Sequence, residues 1–202
     1  MKTRIMVLLM AGLVLAVPAS AQQLFDFLGQ ADVPAMAGGS LALDSLLRDP
    51  APETTPIPLD FANFEYTLVI SGLVMIADGS TQTYAGGTVT IFEDNGTAAD
   101  YGVPGSFTDG TAILSGTITH LERTMFTSTL GTVTGSLDWT GGTRVDEIAP
   151  QDQVGWAFLS GINARETSVE PGYSEQWDGK IEPEAPIVDN EEVLWGSFKS
   201  FF

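Results

Sequence analysis

Apolar and polar residues alternate with period two through much of the chain after residue 60, the spacing of strands that bury one face. Phe64, Tyr66, Leu68 and Ile70 share one face of such a stretch. Val133, Leu137 and Trp139 share another, and Tyr173, Trp177 and Ile181 a third. Asp78-Gly79, Asn95-Gly96, Asp109-Gly110 and Asp178-Gly179 punctuate the pattern; such dipeptides tolerate positive φ and close tight turns. The pattern predicts eight or nine strands, near 61–77 with a bend or break at Gly72, 83–93, 105–108, 111–121, 124–130, 131–139, 154–162, 173–181 and 191–199. Thr fills 17 of the 77 positions from Thr67 to Thr143, which strengthens the β reading because β-branched side chains suit a pleated, half-buried surface. No long stretch has the 3.6-residue period of a helix.

Many short antiparallel strands with Gly-rich turns imply a sandwich, jelly roll or barrel. The expectation is an all-β fold, an antiparallel β-sandwich of jelly-roll type. The string Gly87-Thr-Val-Thr90 returns as Gly131-Thr-Val-Thr134, but a solenoid needs at least three matched repeats.

The two ends read differently. Lys2 and Arg4, an apolar run from Ile5 to Val17, and Pro18-Ala-Ser-Ala21 give the charged, apolar and small-residue order of a secretory signal peptide over residues 1–21. The run is shorter than the roughly 20 residues of a membrane-spanning helix, and no Cys follows the small-residue site for lipid attachment. Residues 22–59 are expected to be an extension and linker outside the domain. Ser40–Arg48 could form two helical turns capped by Ser40, and Pro50, Pro52, Pro56 and Pro58 stiffen the linker. The β domain is then 60–182, followed by an acidic segment, 183–202, that ends in an apolar strand or tail and could pack beside Gln22–Leu28.

Charge narrows the partners. The 202 residues carry 26 acids against 8 Lys and Arg, a net charge of −18, and losing Lys2 and Arg4 makes it more negative. Such a surface repels phosphate backbones and anionic lipid heads, which argues against nucleic-acid and headgroup binding, and no nucleic-acid partner is expected. With no Cys, thiol catalysis, thiolate metal sites and disulfides are absent, so core packing holds an exported fold that fits a bacterial source. The expected location is extracellular or periplasmic, with no membrane span in the mature chain and a polysaccharide or cell-surface component as the candidate partner.

Catalytic signals are weak. His120 is the single imidazole, and strand parity puts it with Ala112, Leu114 and Ile118, the profile of a core-edge or loop-end histidine. No Gly-x-Ser-x-Gly elbow occurs. Glycoside hydrolysis needs two carboxyl groups about 5 to 9.5 Å apart, for which Glu93, Asp94, Glu122 and Asp138 are available at or near strand ends. Calcium is the better candidate ion, because hard cations take several carboxylate and carbonyl oxygens. Glu93, Asp94, Asp100 and Asp109 are its candidate ligands, with 189–192 a further acidic run, although none has EF-hand spacing. Trp139, Trp156, Trp177 and Trp195 offer sugar-stacking faces or a core. Asn95-Gly96-Thr97 fits a glycosylation sequon and equally a turn. A terminal Phe202 suggests an outer-membrane barrel, against which the non-alternating Leu73-Val-Met-Ile76 and scarce Tyr count. The reading is therefore an exported, non-catalytic β protein with a binding, surface or structural role, and a carboxylate-dependent polysaccharide hydrolase is the competing class.

Overall fold

A computed structural model describes residues 23–184, and the predicted signal peptide, the 191–199 strand, Trp195 and the 185–202 tail lie outside them. Nine strands form in chain order: β1 (Phe25–Asp32), β2 (Ser40–Arg48), β3 (Glu65–Ala77), β4 (Thr81–Ala85), β5 (Thr88–Asp94), β6 (Thr111–Met125), β7 (Leu130–Gly141), β8 (Trp156–Asn163) and β9 (Glu175–Pro183). All pair antiparallel. Each pairs with its successor around a ring, with β4 and β5 sharing one stave between β3 and β6, and β9 pairs with β1. The sheet is thus a closed eight-stave, up-and-down barrel, and the sandwich expectation is corrected. Local alternation is the same in both architectures; what differs is that β9 finds β1, closing the edges that a sandwich leaves open.

The described part of the expected 22–59 extension contributes to the barrel itself. β1 and β2 are two of the staves, and Ser40–Arg48 is strand rather than helix. Leu41, Leu43 and Leu47 point inward, with Ser45 between them, its hydroxyl donating to the Leu68 carbonyl at 2.6 Å. That buried Ser hides the period of two. The boundary near Leu59 falls in a loop that caps the barrel.

Other elements shift for identifiable reasons. The expected 83–93 strand is split into β4 and β5 by Gly86 and Gly87, with φ of +70° and +86°. The expected 105–108 strand is a 3₁₀ turn, Pro104–Phe107, begun by a proline that has no N–H to give a ladder. The expected 111–121 strand runs on to Met125 as β6, and the expected 124–130 strand does not form: 126–129 are the β6–β7 turn and Leu130 opens β7.

An eight-stave barrel has an interior just wide enough for side chains to fill. Here Phe25, Phe27, Trp139, Trp156, Phe158 and Trp177 fill it, all buried. Phe25 stands edge-on to Trp139 at 5.9 Å, Phe27 stacks on Phe158 at 5.2 Å, and Phe158 meets Trp177 at 6.3 Å. Glycine makes room for them: a Cβ on Gly179 would lie 2.8 Å from the Phe27 ring, and one on Gly116 3.1 Å from Trp139. Outward positions are mostly polar, such as Thr88, Thr90, Thr117, Thr119, Thr132, Thr134 and Thr140.

The two ends differ. The Phe25 end is closed by the loops 49–64 and 142–155, with Ile57 and Ile148 buried and Leu59, Phe61 and Val145 packed against the core. The opposite end presents the β1–β2, β3–β4 and β6–β7 hairpin tips. The β8–β9 loop, 164–174, folds back on the wall, where the Gln30 side chain donates to the Ser168 carbonyl at 3.1 Å and accepts the Glu170 N–H at 3.2 Å.

Candidate functional site

The sequence-predicted ligands do not converge. Asp94 closes its own turn, accepting the N–H groups of Gly96 and Thr97 at 3.0 Å each, and Asp100 accepts that of Gly102 at 2.8 Å. Asp109 is exposed. Glu93 accepts the Tyr66 hydroxyl at 2.8 Å and lies 3.7 Å from the Arg144 guanidinium, part of the end cap. Among the described residues no three His, Asp or Glu side chains are grouped to hold a metal ion.

The hydrolase candidates are also dispersed. Glu93 faces the capped end, whereas Asp138 accepts the Gly155 N–H at 2.8 Å. Glu122 sits mid-strand beside His120, Nε2 to Oε1 3.5 Å. His120 itself is exposed on the outer wall, which corrects the core-edge reading: a bulge between Ile118 and His120 reverses the strand parity. Trp139, Trp156 and Trp177 are core residues and offer no face to a sugar.

Charged chemistry inside the barrel, among the described residues, gathers at its tip end. Arg123 and Glu175 form an ion pair there, with side chains 12% and 4% exposed. Arg123 also donates to Gln82 at 2.9 Å, as does the Tyr84 hydroxyl, and the Trp177 indole donates to Glu175 at 2.9 Å. Burial pushes the Tyr84 hydroxyl up to about 12. Every member has a partner, so the network holds staves together.

Concavity lies on the wall. Outward residues of β7, β8, β9 and β1, with Pro50 and Glu53 at the rim, form an open groove of about 680 Å³. Two rows of paired residues cross its floor. One runs Thr134, Leu159, Lys180, Asp26 and on to Arg48; the other runs Thr132, Gly161, Asp178 and Leu28. Asp26 and Asp178 are therefore diagonal neighbours on one face, 152 positions apart in sequence, a pairing that no local motif signals. Arg48 approaches Asp178 at 3.9 Å. Burial, reinforced by Asp178 and Glu53 and opposed by Arg48, raises the Asp26 carboxyl above its usual range.

A second outer cluster ties the long loops to the wall. The Tyr173 hydroxyl donates to Asp44 at 2.7 Å, Tyr101 meets Tyr173 edge-on at 5.7 Å, and the Thr67 hydroxyl donates to the Phe107 carbonyl at 2.6 Å. Burial raises Asp44 and pushes Tyr101 up to about 12.

These features define a closed, solid-cored antiparallel β-barrel whose concave and polar features lie on its outer wall and ends. Set against protein-family models, curated proteins and solved structures, the chain matches none.

Proposed function

We propose that the chain is an exported, non-catalytic β-barrel of the extracellular or periplasmic space that binds a polysaccharide or similar cell-surface component along its wall. The observation that carries this reading is the filled interior. With Phe25, Phe27, Trp139, Trp156, Phe158 and Trp177 occupying the barrel, a ligand is left with the outer surface, where the β7-β8-β9-β1 groove offers an open concavity.

The groove suits a hydroxyl-rich chain. Thr132 and Thr134 donate and accept, Asp26 and Asp178 accept, Lys180 and Arg48 donate, and Gly161 leaves the floor open. The polar outer wall and apolar interior also support a water-facing barrel over an outer-membrane one, whose polarity is the reverse.

The competing hydrolase reading gains one specific observation, the raised Asp26 carboxyl beside Asp178 in a groove, since perturbed acids in clefts mark catalytic sites. Incubation with a polysaccharide panel separates the two. Retention on at least one polymer without released reducing ends, weakened by Asp178→Ala, supports binding. Hydrolysis lost on Asp26→Ala or Asp178→Ala would overturn the non-catalytic reading.

A further inference from the structure

The tip end of the barrel breaks the rule that governs the rest of the surface. On a chain with net charge −18, the β1–β2 tip, 33–39, reads Val-Pro-Ala-Met-Ala-Gly-Gly, and residues 125–130 read Met-Phe-Thr-Ser-Thr-Leu, neither with a charge. The β3–β4 tip follows Val-Met-Ile-Ala (74–77) and carries one acid, Asp78, whose carboxylate is taken by the Gln82 amide at 3.1 Å. Met36 is 69% exposed, Ile76 60% and Phe126 68%, with Val74 and Leu130 beside them also exposed.

The three tips stand side by side. Gly38 and Gly39 exchange backbone hydrogen bonds with Met75 at 2.8 and 3.0 Å, and the Thr81 and Thr124 hydroxyls meet at 2.9 Å. The fourth hairpin leaves beside the β6–β7 tip, where the Ala164 N–H donates to the Thr129 carbonyl at 2.8 Å, and beyond the exposed Arg165 and Glu166 its Ser168–Glu170 stretch turns onto the wall at Gln30. The described chain enters and leaves at the opposite end, where Gln23 bridges Thr54 and Pro183 pairs with Trp156.

We infer that this end docks on a zwitterionic lipid surface, with Met36, Ile76 and Phe126 inserted among the headgroups. Charge and shape select that occupant. An anionic bilayer and a second copy of this acidic chain are both repelled, whereas a surface of no net charge is not. The five exposed apolar side chains, Met36, Val74, Ile76, Phe126 and Leu130, are shared among separate hairpin tips, and apolar exposure gathered at one end of a monomer marks an interaction site. Three separate tips also fit a soft interface better than a flat protein face, and interfacial affinity grows with the apolar area inserted.

Co-sedimentation of the exported, processed chain with phosphatidylcholine vesicles tests this. The native protein pellets with the vesicles, and the double variant Ile76→Ser/Phe126→Ser loses at least about tenfold in partitioning. Val154→Ser, which removes an exposed apolar residue at the other end, leaves partitioning unchanged. Addition of phosphatidylglycerol weakens it at low salt. Since the altered side chains are exposed, circular dichroism and Tm stay as in the native protein. Native protein that stays in the supernatant overturns the inference, as does a double variant that pellets fully or binding that strengthens with anionic lipid. So does a dimer in sedimentation equilibrium that the double variant dissolves, which would assign the tips to a second copy.

Discussion

Arg123 and Glu175 illustrate how a buried charge constrains a single position. With both side chains nearly enclosed and the Gln82, Tyr84 and Trp177 donors and acceptors matched to them, neither can be removed alone. Arg123→Met leaves the Glu175 carboxylate uncompensated, and a loss of about 3–5 kcal/mol is expected in urea unfolding; the double variant Arg123→Met/Glu175→Met should recover most of it. Asp26 behaves oppositely, because burial raises its carboxyl above the ordinary 3.8. The folded protein then binds that proton more tightly than the unfolded chain, so this group's contribution to stability falls as pH rises from about 3.8 through the raised folded value. Asp26→Asn should raise Tm at about pH 7 and lose that advantage in acid below the ordinary value, as thermal scans across pH would register. The inward faces were legible residue by residue wherever alternation ran unbroken, as at Tyr66, Leu68 and Ile70 or at Val133, Leu137 and Trp139. His120 was not, because a bulge is a change of parity with no composition of its own.

At the scale of elements, glycine decides where staves bend. Gly86 and Gly87 both have positive φ, but a Cβ on Gly86 would come no nearer than 4.0 Å to the Gly72 carbonyl oxygen, whereas one on Gly87 would meet the Leu73 nitrogen at 2.8 Å and the Ser71 oxygen at 2.9 Å. Gly86→Ala should therefore cost about 1 kcal/mol of backbone strain, and Gly87→Ala more, about 1–3 kcal/mol with the added crowding. Urea midpoints of the two variants check that order. The sequence pattern marked the bend opposite, at Gly72, yet ran β4 and β5 together, since the string Gly86-Gly87 between apolar-alternating segments does not say which partner crowds it. Ser40–Arg48 was the larger miss. A lone inward Ser45, satisfied by the Leu68 carbonyl, interrupts the apolar series, and its need for that acceptor becomes visible only when β3 lies alongside.

At the scale of the whole molecule, the described residues close into a ring, and no stave is dispensable. A chain beginning at residue 60 would lack β1 and β2, leaving β3 and β9 as long edges and the interior without Phe25 and Phe27, two of the six aromatic side chains that fill it. It is expected to give no monomeric folded species, as size-exclusion chromatography and near-ultraviolet circular dichroism would report. Closure is also why the sequence suggested layers of strands and left the barrel open as one choice of three: the decisive contact joins Phe25–Ala31 to Glu175–Ile181, and alternation carries no record of pairing at such range. The groove shares that illegibility, since Asp26 and Asp178 become neighbours only through the same contact. It has a temporal side as well. β1 is synthesised first among the strands and its partner β9 last, so with translation at about 5–20 residues per second Phe25 and Phe27 wait on the order of ten seconds for the strand that covers them. The seam of the ring is thus a debt carried through the birth of the chain, and whatever keeps the nascent segment from sticking must act on its first strand.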